Sequence, residues 1–123
     1  MILVDTSVWV DHLRAGAAAL GGLLYNGGAL GHPFVTGELA LGNLRQRDLV
    51  LNALRRLPQA TVAADEEVLH FINRQGLFGL GIGYVDAHLL AAVRLSPGAK
   101  LWTRDRRVQA TAAQLGLAVA RQP

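Results

Sequence analysis

Short apolar runs recur along this chain, each followed by a stretch of helical character, and that alternation most narrows the folds open to it. Ile2-Leu3-Val4, closed by Asp5, is the first. A run so short and so fully apolar, with two β-branched residues, predicts a strand buried on both faces. Thr6 and Ser7 can cap a helix that continues through Val8, Trp9, Asp11, His12 and Leu13. Further strands are predicted at 33–36, 60–63, 101–103 and 117–119, with helices at 17–25, 38–47, 48–57, 65–74, 84–95 and 105–115. The expected fold class is therefore α/β, a parallel sheet of about five strands covered by helices on both faces. No repeat, linker or low-complexity stretch interrupts the pattern, so 1–123 is read as a single domain.

In open parallel sheets, chemistry gathers beyond the carboxyl ends of the strands. Four acids fall there: Asp5 after the first strand, Glu38 after the second, Asp86 at the opening of the long helix 84–95, and Asp105 after the fourth strand. They are separated by 33, 48 and 19 residues, so only the fold can bring them together. Asp86 has Leu90 and Val93 at i+4 and i+7, which puts its carboxylate on the stripe expected to face the core. Glu38 makes a parallel case with Leu41 and Arg45.

Burying an unpaired carboxylate costs several kcal/mol, and a helix N-terminus returns only about 0.3–1 kcal/mol. A cation offsets far more. An all-carboxylate set without Cys or His is a hard oxygen donor set, suited to Mg²⁺ or Mn²⁺ and poorly matched to zinc. Such a set serves metal-assisted phosphodiester hydrolysis. Thr6, Ser7 and Thr103 stand beside these acids in sequence and can orient a carboxylate or a bound water, although capping and strand propensity explain them equally well. Asp48 and Asp65 read as ordinary helix caps, and Asp11 and His12 as surface residues.

Charge points the same way. Eleven of the twelve bases are Arg, and the net charge is +3. With four acids gathered in one pocket, five remain against twelve bases, so the rest of the chain carries an excess of seven positive charges. A polyanion would meet a basic rim around an acidic centre. Arg104, Arg106 and Arg107 around Asp105, Arg45 after Glu38, and Arg14 after the first helix are the candidate phosphate contacts. The chain has no cysteine, which excludes thiolate and disulfide chemistry. No glycine-rich stretch leads into the Lys-Ser/Thr pair of a phosphate-binding loop. The longest charge-free stretch, the 23 residues between Arg14 and Glu38, contains seven glycines and reads poorly as a membrane span. Asp5 also interrupts the first apolar run before an export signal could form, so a cytoplasmic location is expected.

Four segments together resemble the PIN-domain ribonucleases, most closely the VapC toxins of toxin–antitoxin pairs. Ile2-Leu3-Val4-Asp5-Thr6-Ser7-Val8-Trp9 is similar to the segment with the family's first acid, and Thr36-Gly37-Glu38-Leu39 to that with its second. Tyr84-Val85-Asp86-Ala87-His88-Leu89 resembles the third and Thr103-Arg104-Asp105 the fourth. The likeness runs from Leu3 to Val119, in the family's order. It implies a PIN-like three-layer α/β/α domain and a Mg²⁺- or Mn²⁺-dependent endoribonuclease that cuts structured RNA such as transfer or ribosomal RNA. Asp5, Glu38, Asp86 and Asp105 would be its acidic site, with Asp105 the most dispensable. A homodimer is also implied, neutralised by a small antitoxin whose tail occupies a groove near the site. Trp9, Leu13, Leu23, Leu24, Tyr25 and Leu44 are candidate interface residues. The competing reading is a module that holds RNA on the same sheet without cutting it.

Overall fold

The computed structural model describes residues 1–120. Its element order is β1 (Ile2–Val4), α1 (Thr6–Ala15), α2 (Ala18–Tyr25), β2 (Ala29–Leu30), α3 (Pro33–Ala40), α4 (Arg47–Arg56), α5 (Asp65–Gln75), α6 (Tyr84–Leu95), β3 (Lys100–Trp102) and α7 (Arg106–Gln114). A parallel sheet of order β2-β1-β3 lies at the centre of an α/β/α arrangement. β1 is the middle strand, with Leu3 opposite Leu30 on one side and Leu101 on the other. That position explains its composition, since Leu3 and Val4 are fully buried and leave no place for a polar side chain. Trp102 and Leu101 on β3 and Leu89 and Leu90 on α6 complete the same core.

The sheet is shorter than the sequence suggested. Three strands are present among the described residues, where about five were expected. The segment expected as the fifth strand is reduced to a single parallel bridge, Leu101 to Ala118, and the expected third strand at 60–63 does not form; the residue before it, Gln59, makes a single parallel bridge to Gly31. The second strand was misplaced. Residues 33–36 open α3, and the strand is Ala29–Leu30. Pro33 at the first helical turn has its φ already set for a helix, and His32 Nδ1 accepts the Phe34 N–H at 3.0 Å as a cap. These backbone terms outweigh the strand propensity of Phe34, Val35 and Thr36.

Glu38 consequently sits in the last turn of α3 rather than at the start of a helix. The helix expected to reach Arg47 ends at Ala40, and Leu41, expected to share a buried face with Glu38, is 90% exposed. α4 starts at Arg47 after Gln46 in a left-handed conformation, with Asp48 in its first turn rather than capping it. α5 begins at Asp65, where Glu67 Oε1 accepts the Ala64 N–H at 2.9 Å. Of the proposed interface residues, Trp9 belongs to the core and Tyr25 is 92% exposed. No helix among the described residues is long and apolar enough to cross a membrane.

Candidate active site

Because β1 and β3 run parallel, the residues that follow them emerge on one rim of the sheet. The Asp5 N–H donates to Trp102 O at 3.0 Å, which extends the pairing one step to that rim. Asp5 is buried, and its Oδ2 accepts two hydroxyl bonds, from Thr103 Oγ1 at 2.7 Å and from Ser7 Oγ at 2.8 Å. Ser7 Oγ in turn accepts the Arg104 N–H at 3.0 Å, and Thr103 Oγ1 accepts the Asp105 N–H at 3.1 Å. Two hydroxyls thus fix the Asp5 carboxylate and tie the turn after β3 to the first turn of α1.

Glu38 is exposed and accepts a bond from Thr6 Oγ1 at 2.6 Å, which joins α3 to the start of α1. All three hydroxyl residues singled out in the sequence therefore bond a carboxylate or the loop that carries one. Asp86, half-buried in the first turn of α6, accepts the Gly83 N–H on Oδ2 at 2.8 Å. Burial raises its pKa, the Gly83 bond lowers it in part, and the charges of Asp5, Asp105 and Glu38 raise it further. Asp86 therefore feels the charge of three acids from distant segments. Asp105 is exposed and caps α7, its Oδ1 accepting the N–H groups of Arg107 at 2.9 Å and Val108 at 3.1 Å.

Among the described residues, no three His, Cys, Asp or Glu side chains stand close enough to enclose an ion. Glu38, Asp86 and Asp105 each have a donor of their own: Thr6 Oγ1, the Gly83 N–H and the Arg107 N–H. The donor set nonetheless fits a hard divalent cation. It is built of carboxylate oxygens, with the buried Asp5 and half-buried Asp86 among them.

The arginines divide into separate roles. Arg104 Nε lies 2.7 Å from Asp11 Oδ2, and Arg14 Nη2 lies 3.3 Å from Asp11 Oδ1. Arg107 packs beside the loop before α6, where a Cβ on Gly81 would lie 2.8 Å from its Nη1. Arg106 opens α7 and is exposed. Arg45 and Arg14 line a groove of about 460 Å³ that Thr6 and Glu38 also line, so this groove adjoins the acidic rim. A second cavity, of about 420 Å³ between α5 and α6, shares no residue with the carboxylates.

Two features escaped the sequence reading. Asp11, expected at the surface, pairs with two of the candidate arginines; the i, i+3 spacing of Asp11 and Arg14 on α1 signals the first pair, and nothing in the spacing signals the pair with Arg104. Asp65, expected as a cap, is the first residue of α5 after the Ala64 cap and accepts bonds on Oδ1 from Tyr84 Oη and His88 Nε2, each at 3.1 Å. Nothing local announced that second arrangement.

Comparison with known proteins decides the family. The chain is 52% identical over 122 residues to Ribonuclease VapC32 of Mycobacterium tuberculosis, in strains CDC 1551 / Oshkosh and ATCC 25618 / H37Rv. The match covers 99% of this chain and 98% of the relative. The chain belongs to the VapC family of PIN-domain ribonucleases. No family model matches it. Membership in the VapC family, together with the α/β/α fold, supports a nuclease role.

Proposed function

We propose that this chain is a Mg²⁺- or Mn²⁺-dependent endoribonuclease that hydrolyses phosphodiester bonds of transfer or ribosomal RNA. It acts in the cytoplasm as the toxin of a toxin–antitoxin pair, as a homodimer neutralised by a small antitoxin protein. The observation that carries the reading is the buried Asp5 carboxylate at the sheet rim, held on Oδ2 by Thr103 and Ser7 from the two segments that also carry Asp105 and Thr6, the donor to Glu38. Full-length identity to a ribonuclease supports it independently.

In this reading Asp5, Glu38, Asp86 and Asp105 hold the cation. When bound, the ion supplies Lewis acidity at the scissile phosphate and a lowered pKa for the attacking water. The chain's own side chains do the rest. Thr103 and Ser7 donate to Asp5 Oδ2, which fixes its orientation. Thr6 Oγ1 orients Glu38 in the same way, across the α1–α3 contact. Arg14, Arg45, Arg104, Arg106 and Arg107 draw the RNA backbone toward this negative centre.

A non-catalytic RNA-binding module has one specific point in its favour, the absence of a closed metal cage among the described residues. Cleavage assays separate the two. The nuclease cuts RNA with Mg²⁺ or Mn²⁺ and not in EDTA, and Asp5→Asn or Asp86→Asn lowers turnover by about 100-fold or more without loss of fold. Cutting that persists in EDTA at the native rate, or wild-type protein that binds RNA and never cuts it, would overturn the proposal.

A further inference from the structure

Ser7, Asp11 and Arg14 form one stripe along α1, leading away from Asp5. Arg104 is fastened to this stripe at two points: its N–H donates to Ser7 Oγ at 3.0 Å, and its Nε lies 2.7 Å from Asp11 Oδ2. The other Asp11 oxygen takes Arg14 Nη2 at 3.3 Å. A single carboxylate therefore joins two guanidinium groups, one from α1 and one from the turn between β3 and α7, next to the Asp5 hydroxyl network.

Neither stability nor simple charge explains this carboxylate. The Asp11, Arg104 and Arg14 side chains are 38%, 42% and 76% exposed, and ion pairs so wet contribute about 0–1 kcal/mol to folding. A negative charge on a rim that attracts a polyanion opposes binding. Its geometry has a different consequence. Two long cationic side chains would otherwise repel and sample many rotamers, and Asp11 holds both in one arrangement. The contact engages Nε of Arg104, and a guanidinium has five N–H donors, so donors remain for a phosphate. Arg14 also lines the groove that opens onto Thr6 and Glu38, which places the pair along a path to the acidic rim.

We propose that Asp11 is a positioning residue for RNA: it sets Arg14 and Arg104 side by side to take backbone phosphates of the strand that reaches the carboxylates. This inference rests on the ribonuclease reading above. The test is equilibrium binding of a fluorescein-labelled RNA hairpin in EDTA, followed by anisotropy over a range of salt concentrations. Charge alone predicts that Asp11→Asn binds more tightly, because the protein becomes more positive. Positioning predicts the reverse, a Kd raised about two- to fivefold, with Asp11→Glu restoring affinity.

In a background where Arg14 and Arg104 are both Ala, the same Asp11→Asn change should tighten binding, as removal of an isolated carboxylate must. Unaltered or tighter binding by Asp11→Asn in the native background sinks the inference. So does equal weakening in the double-Ala background, or a melting temperature lowered by more than about 5 °C, which marks a structural role. Wild-type protein that binds no RNA overturns this inference together with the proposed function. Wild-type protein that binds and cuts RNA, beside an Asp11→Asn variant of native affinity, overturns this inference alone.

Discussion

Asp86 is where burial and charge work against each other most plainly. Its folded pKa lies above the ordinary carboxylate value because of burial first and because of Asp5, Asp105 and Glu38 after it, with the Gly83 N–H opposing. A carboxylate whose folded pKa is raised destabilises the fold once it ionises, so acidification through that pKa restores stability. Asp86→Asn keeps an acceptor for Gly83 and removes the charge. The metal-free variant should melt about 2–5 °C above wild type at neutral pH. Added Mg²⁺ should raise the melting temperature of wild type and leave that of the variant nearly unchanged, since only a folded site binds the ion. Differential scanning fluorimetry with and without Mg²⁺ reads both effects. A variant that melts below wild type without metal contradicts the account of crowded carboxylates.

At the scale of elements, Asp105 combines two duties that substitutions can separate. Its Oδ1 satisfies the N–H groups of Arg107 and Val108 at the start of α7, while its charge adds to the field at Asp86. Asp105→Ala should cost about 1 kcal/mol in urea unfolding, and Asp105→Asn only a fraction of that, because Asn caps nearly as well. If the charge matters to cleavage, both variants lose activity to a similar degree despite their different stabilities. β1, Asp5 and the Asp86 turn were legible because their signals are local: a β-branched run, a hydroxyl at the next position, and an apolar stripe at helical spacing. The second strand was not legible, since Phe34-Val35-Thr36 carries strand composition and the decision rests on Pro33 and the His32 ring. The strand itself, Ala29–Leu30, is only two residues long and flanked by Gly28 and Gly31. Partners such as Arg104 and Asp11, or Asp65 and His88, lie far apart along the chain, and no periodicity encodes them.

For the molecule as a whole, the pH dependence of stability turns on a histidine that the function does not use. His32 is fully buried, and its Nδ1 accepts the Phe34 N–H, so the neutral ring carries its proton on Nε2. Burial chiefly, and the neighbouring His88 in addition, lower its pKa from the ordinary 6.5 to about 4. The sign follows from proton counting. Between these two values the unfolded chain binds a proton at this position and the folded chain does not, so acid favours unfolding. The stabilisation is complete above pH 6.5 and is lost as the pH falls toward about 4. At most about 3 kcal/mol is at stake, from 1.36 kcal/mol per pKa unit. Urea unfolding measured from pH 7 to pH 4 should show this decline in wild type. His32→Asn should flatten it, because Asn retains a capping acceptor for the start of α3 and cannot take up the proton. A variant that follows the wild-type profile would move the acid sensitivity away from His32 and onto the carboxylates or the other histidines.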